Sequence, residues 1–133
     1  MIESVSHYLQ LRSDESASKR RLITTEIAAV STWIELVESH PELCDDIALN
    51  KSLPIEILEL LANNASENVR YIVAMKGNLS ANLFEHLASD SCETVRSRIA
   101  FNKRTPVSIL KQLAQDPSKL VSDKAKLRLS GEQ

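Results

Sequence analysis

Residues 95–120 read VRSRIAFNKRTPVSILKQLAQDPSKL, and residues 69–94 directly before them read VRYIVAMKGNLSANLFEHLASDSCET. The blocks have equal length and a common apolar skeleton. Set in rows of 26 residues, the chain aligns without a gap. Leu43, Val69, Val95 and Val121 form one column, and Ile47, Val73, Ile99 and Ala125 a second. Ala48, Ala74 and Ala100 form a third, followed by Leu49, Met75, Phe101 and Leu127. Further along each row stand Ile57, Leu83 and Ile109; Leu58, Phe84 and Leu110; Leu61, Leu87 and Leu113; Ala62, Ala88 and Ala114. A fixed period of this size marks stacked repeats, in which neighbouring rows bury the columns they share.

Each row carries two helical patterns. In the second, Ile57, Leu58, Leu61 and Ala62 make one apolar stripe at helical spacing. Pro54 and Pro106 stand at its expected first turn, Thr105 is a good N-cap before Pro106, and Ser80 takes the proline column in the middle row. The first helix of each row is expected to open after Asn64, Asp90 and Asp116, with Pro117 at the favoured first position. Polar loops join the two, at residues 50–52, 76–78 and 102–104. Helices of two to three turns are marginal alone. Contacts between rows must therefore supply most of the stability, at roughly 1.5–3 kcal/mol per large buried side chain.

These patterns predict an all-α fold, an α-solenoid with a 26-residue period. Ile27, Val30, Ile34 and Val37 predict a longer capping helix within 23–40, started by Thr24 or Thr25 and ended by His40-Pro41, with Trp33 on the shoulder of its stripe. Repeats follow at 41–68, 69–94 and 95–120, and a partial repeat at 121–133. Residues 23–133 thus read as a single helical-repeat domain. Residues 1–22 read as an N-terminal segment in which Ile2, Val5 and Leu9 suit a short helix and SDESASKRR has the composition of a polar, mobile linker.

Composition agrees. Two glycines and five aromatic side chains among 133 residues are too few for a sheet protein rich in hairpins. No apolar run approaches the roughly 20 residues of a membrane span, and the opening MIESVSHYLQ lacks the pattern of a secretory signal. Cys44 and Cys92 stand far apart; one disulfide is open to them, but two lone thiols in such a chain read more readily as reduced, which makes a cytoplasmic location the expectation. Charge is uneven. Residues 22–94 hold twelve acids against three bases, and residues 95–128 hold nine bases against two acids.

The columns VRxxVA…LPxxLxxxLAxD and VRxxIAxNxxTPxxxLxxLAxD resemble the leucine-rich repeat variant, a bacterial relative of HEAT-type helical repeats. The resemblance spans about residues 41–127 and rests on Val69-Arg70, Val95-Arg96, Asn102, Thr105-Pro106, Leu113-Ala114 and Asp116, with Asn50 and Pro54 in the first row. It implies a right-handed superhelix of short paired helices. The rows here are slightly longer than that family's usual repeat, which moves the expectation towards HEAT-like pairs. The iron–sulfur cluster of one family member needs a cysteine-rich segment that this chain lacks, so no cofactor is carried over. HEAT-like DNA glycosylases share the architecture, but none of their catalytic residues can be matched here.

Nothing in the sequence points to catalysis or to a metal. His7, His40 and His86 have no metal-ligand spacing, adjacent Asp45 and Asp46 point in different directions on a helix, and two glycines cannot build a phosphate loop. Arg70 and Arg96 share a column next to buried positions and read as structural, their stems packed between rows and their heads on aspartate or carbonyls. What remains is the exposed face of the second helices, graded from acidic to basic: Glu56 and Glu59, then Asn82, Glu85 and His86, then Lys111 and Gln112, joined by Tyr71 from a first helix. The expectation is a non-enzymatic protein-binding module gripping one protein partner along that face. A concrete version is a bacterial immunity or adaptor protein that masks a basic partner with the acidic rows. The alternative is nucleic-acid binding through Lys103, Arg104, Lys111, Lys119, Lys124 and Lys126.

Overall fold

Short amphipathic segments separated by polar turns give an all-helical chain. The computed structural model describes residues 1–131, which hold ten α-helices: α1 (Val5–Arg12), α2 (Ala17–Thr25), α3 (Val30–Ser39), α4 (Cys44–Ala48), α5 (Ile55–Leu61), α6 (Glu67–Ala74), α7 (Ala81–Ala88), α8 (Glu93–Phe101), α9 (Val107–Leu113) and α10 (Lys119–Leu129). A 3-10 turn, Pro41–Leu43, leads into α4. Among the described residues the only β-type pairing is an isolated bridge between Ile2 and Ala28. The chain divides into two compact units, Met1–Leu61 and Ala62–Gln133.

In the second unit the odd and even members of the helix series form separate sets. The first helices of successive rows pack side by side, α6 on α8 and α8 on α10, while the second helices pair as α7 on α9. The shared columns explain why. Val69, Val95 and Val121 are buried, as are Val73, Ile99 and Ala125, and so are Leu83, Phe84 and Leu87 with Ile109, Leu110 and Leu113. One column behaves otherwise. Met75, Phe101 and Leu127 are 41, 42 and 43% exposed, and Leu49 in the first unit is 46% exposed. Leu49, Met75 and Phe101 each follow a buried alanine at the end of a helix, and Leu127 comes two residues after buried Ala125. Each step along a helix turns the side chain about 100°, so all four are carried away from the core.

The N-terminal unit departs from the sequence expectation in two places. The expected capping helix is broken: α2 runs through residues read as linker, the backbone is extended from Glu26 to Ala29, and α3 starts only at Val30. The break is held from outside, by the Ile2 amide on the Ile27 carbonyl at 2.7 Å and by Asn50 Nδ2 on the carbonyls of Ile23 and Glu26 at 2.8 and 2.9 Å. The inward stripe of α3 is consequently Trp33, Leu36 and Val37, not one running from Ile27. Trp33 is fully buried against Tyr8 in an edge-to-face pair with centroids 6.1 Å apart, and Ile27 lies exposed.

Helix ends also differ in detail. Ser80 caps α7, accepting the Leu83 amide at 3.2 Å. Pro106 occupies the N-cap of α9 itself, and Thr105, read as its cap, donates its hydroxyl backwards to the Ile99 carbonyl at 2.6 Å, closing the end of α8. Asn64, Asp90 and Asp116 act two residues before the caps. Their side-chain oxygens accept the amides of Ser66, Cys92 and Ser118 at 2.8–2.9 Å, so Pro117 lies within this turn and α10 starts at Lys119.

Candidate interaction surface

Two recurring devices fix the surface by fixing the helix ends. The first joins an arginine to the aspartate 20 residues on. Arg70 Nε and Nη2 donate to Asp90 at 2.8 and 3.2 Å, and Arg96 does the same to Asp116 at 2.8 and 3.3 Å. Arg70 Nη1 also donates to the Asn64 carbonyl at 2.7 Å, and Arg96 Nη1 to the Asp90 carbonyl at 2.9 Å. The carboxylates are nearly buried, and these bonds hold both guanidinium groups more firmly in the charged form. This is the structural role read for Arg70 and Arg96.

The second device clamps carbonyls. Asn102 Nδ2 donates to the carbonyls of Ala74 and Lys76 at 2.8 and 2.9 Å while its Oδ1 accepts the Arg104 amide at 2.9 Å. One period later Arg128 Nη1 donates to the carbonyls of Ala100 and Asn102 at 2.8 and 2.6 Å. With both ends of α8 tied in this way, what projects outward from α6, α8 and α10 is held in register.

The residues named from sequence fall into separate groups. Asn82, Glu85 and His86 are exposed on α7, and Lys111 and Gln112 on α9, with Gln112 donating to Ser89 at 3.2 Å. These two helices pack together, so this part of the graded face is brought together. Glu56 and Glu59 are exposed on α5, in the other unit. Tyr71 is half-buried on α6 and lines a cavity of about 220 Å³ with Glu67, Asn68, Cys92 and Thr94. In it the Cys92 thiol donates to Glu67 at 3.1 Å. Cys44 is also a thiol, buried, with its sulfur 3.8 Å from the Val37 carbonyl.

Of the basic set, Lys103 and Lys124 come together around Phe101. The ammonium of Lys124 lies 4.7 Å from the ring centroid, and Phe101, Lys103, Lys124 and Arg128 line a hollow of about 330 Å³. Lys126 lines another, of about 390 Å³, with Asp123, Leu127 and Ser130. Arg104, Lys111 and Lys119 are exposed and line neither.

The residues that sequence reasoning missed are Met75, Phe101 and Leu127, counted among the columns that stacking would bury. The spacing carries a signal that would have found two of them. Glu67, Tyr71 and Met75 recur every four residues along α6, as do Glu93, Ser97 and Phe101 along α8. An apolar residue that continues a polar stripe at helical spacing faces outward with it.

Among the described residues no helix is long and apolar enough to cross a membrane, and no group of three or more metal-ligating side chains is assembled. In comparisons with protein-family models, curated proteins and solved structures, nothing matches this chain.

Proposed function

We propose that the protein is a non-enzymatic protein-binding module, an α-solenoid of the leucine-rich-repeat-variant or HEAT-like kind, right-handed, with an adaptor or immunity role as its concrete form. The paired first and second helices of the Ala62–Gln133 unit support the architecture. The observation that carries the function is the outward column Met75, Phe101 and Leu127. A period that buries Val95 and Ile99 to the last atom leaves these three large apolar side chains about two-fifths exposed, at the same place in each row. Scattered exposed apolar residues need no explanation, but ones that recur in register mark a contact surface. Tyr71 flanks the column on α6.

Site-specific photo-crosslinkers test this. A crosslinker at Phe101 or Leu127 should trap one protein in stoichiometric yield in the native host. One at Glu85 or Gln112 should not, and trapping there instead would move the contact to the α7–α9 face. The hollow around Phe101, with Lys103, Lys124 and Arg128, favours a second reading, single-stranded nucleic acid. It requires retention of an oligonucleotide that falls steeply with added salt.

A further inference from the structure

The partner's chemistry can be read from what surrounds the apolar column. We infer that the α6–α8–α10 face receives an amphipathic helix with acidic flanks, lying across the three helices with one apolar anchor over each. This rests on the protein-binding reading and specifies its occupant.

The spacing suits a helix. Helices packed side by side lie roughly 8–10 Å apart, and α6, α8 and α10 pack in that sequence. Met75, Phe101 and Leu127 therefore repeat across the face at about that interval. A partner helix presents apolar residues two turns apart, about every seven positions, at roughly 10.5 Å. Met75 adds a flexible thioether, the side chain most adaptable to a foreign surface.

The charge decides the flanks. Lys103 and Lys124 stand beside Phe101, and Lys126 beside Leu127. Asp123 is the acid in their midst. Glu67 and Glu93 lie at the far ends of α6 and α8, eight residues from Met75 and Phe101, about 12 Å along a helix. The rim of the column is thus basic around Phe101 and Leu127, so it selects a partner with carboxylates flanking its apolar stripe there and repels one with lysines. Two of the three anchors, Phe101 and Leu127, accordingly stand in the basic rows, where the sequence alone suggested a contact through the acidic ones. Nucleic acid fits less well: bases stack on π-faces, and two of the three rungs are aliphatic or thioether.

The test uses the full chain and synthetic peptides in fluorescence anisotropy. One peptide carries leucine at every seventh position with glutamate beside it; its counterparts carry lysine instead, or leucines out of register; a single-stranded oligonucleotide is the fourth probe. The glutamate peptide should bind at least about tenfold more tightly than the others. F101S should weaken it about tenfold or more, measured well below the variant's own melting temperature so that the loss is read on folded protein. The double reversal K103E/K124E should transfer preference to the lysine peptide. Equal binding of the two charge forms, indifference to F101S, or preference for the oligonucleotide would overturn the inference. A native partner trapped at Phe101 whose binding ignores K103E/K124E would refute the acidic helix and leave the protein-binding reading standing. No protein trapped there would remove both.

Discussion

Arg96 and Asp116 meet through two parallel hydrogen bonds, 2.8 and 3.3 Å long, and the same carboxylate accepts the Ser118 amide at 2.8 Å. One aspartate thereby shapes the turn before α10 and pairs with a cation on α8, 20 residues back. Losing it should cost more than losing its partner, because Asp116→Ala leaves a guanidinium only 17% exposed without a counter-charge. Chemical denaturation should show Asp116→Ala destabilised by about 2 kcal/mol. The Arg96→Met/Asp116→Ala double variant should lose less than the sum of the two single changes. Strict additivity in that cycle would show that the pair is not coupled.

Asn102 makes three hydrogen bonds from a site that is 3% exposed, two to carbonyls at the end of α6 and one from the Arg104 amide. Asn102→Ala strands all three groups. We expect a loss of about 3 kcal/mol. Amide exchange should quicken at Arg104, whose amide loses its acceptor. An unfolding midpoint unchanged within error would contradict the clamp.

Tyr8 carries the clearest pH signature. Burial pushes its phenol up to about 12, with the nearby Asp46 carboxylate adding to the shift, and its hydroxyl has no hydrogen-bond partner among the described residues. An acid whose folded pKa is raised binds its proton more tightly when folded. Its stabilising term is complete below the unfolded value of about 10 and is lost as pH rises from there towards 12. The parent should therefore lose on the order of 1–3 kcal/mol more than Tyr8→Phe over that window. At neutral pH Tyr8→Phe should be neutral or stabilising, because it removes a buried polar atom that satisfies nothing. Parallel pH profiles for the two proteins would refute this.

Thr105 was expected to start α9, and instead its hydroxyl finishes α8 on the Ile99 carbonyl at 2.6 Å. Thr105→Val keeps the shape and deletes the donor, so it should cost about 1 kcal/mol. Hydrogen exchange should report the damage in the last turn of α8, with the first turn of α9 unaffected. The reverse pattern would restore the N-cap reading.

The period was plain in the sequence because core positions are forced: Val95 and Ile99 are wholly buried where two rows meet, and a polar side chain there would go unpaired. The row before the first was hidden by two residues. Asp14, Ser16 and Arg20 repeat the local geometry of Asn64, Ser66 and Arg70, with the Ser16 amide on Asp14 at 2.8 Å and Arg20 on the Asp14 and Glu15 carbonyls. They precede those residues by 50 positions, which is not a multiple of 26, so rows of fixed length misalign them. The break between α2 and α3 was equally hidden. It has no glycine or proline, and Asn50 and Ile2 impose it from elsewhere in the chain. The outward column was visible as a column; only its direction was misjudged, since apolar identity alone does not say which way a helix is turned.

The sharing of Asp90 and Asp116 between successive units restricts how such a chain can change its length. A deletion that begins just before Asp116 would leave Arg96 reaching into an empty corner, and an insertion of arbitrary size would separate each cation from its acid. Only whole modules, cut at equivalent points, preserve the handshake. Growth by duplication of complete units, and not by gradual extension, is the route this construction leaves open to evolution and to the protein engineer alike.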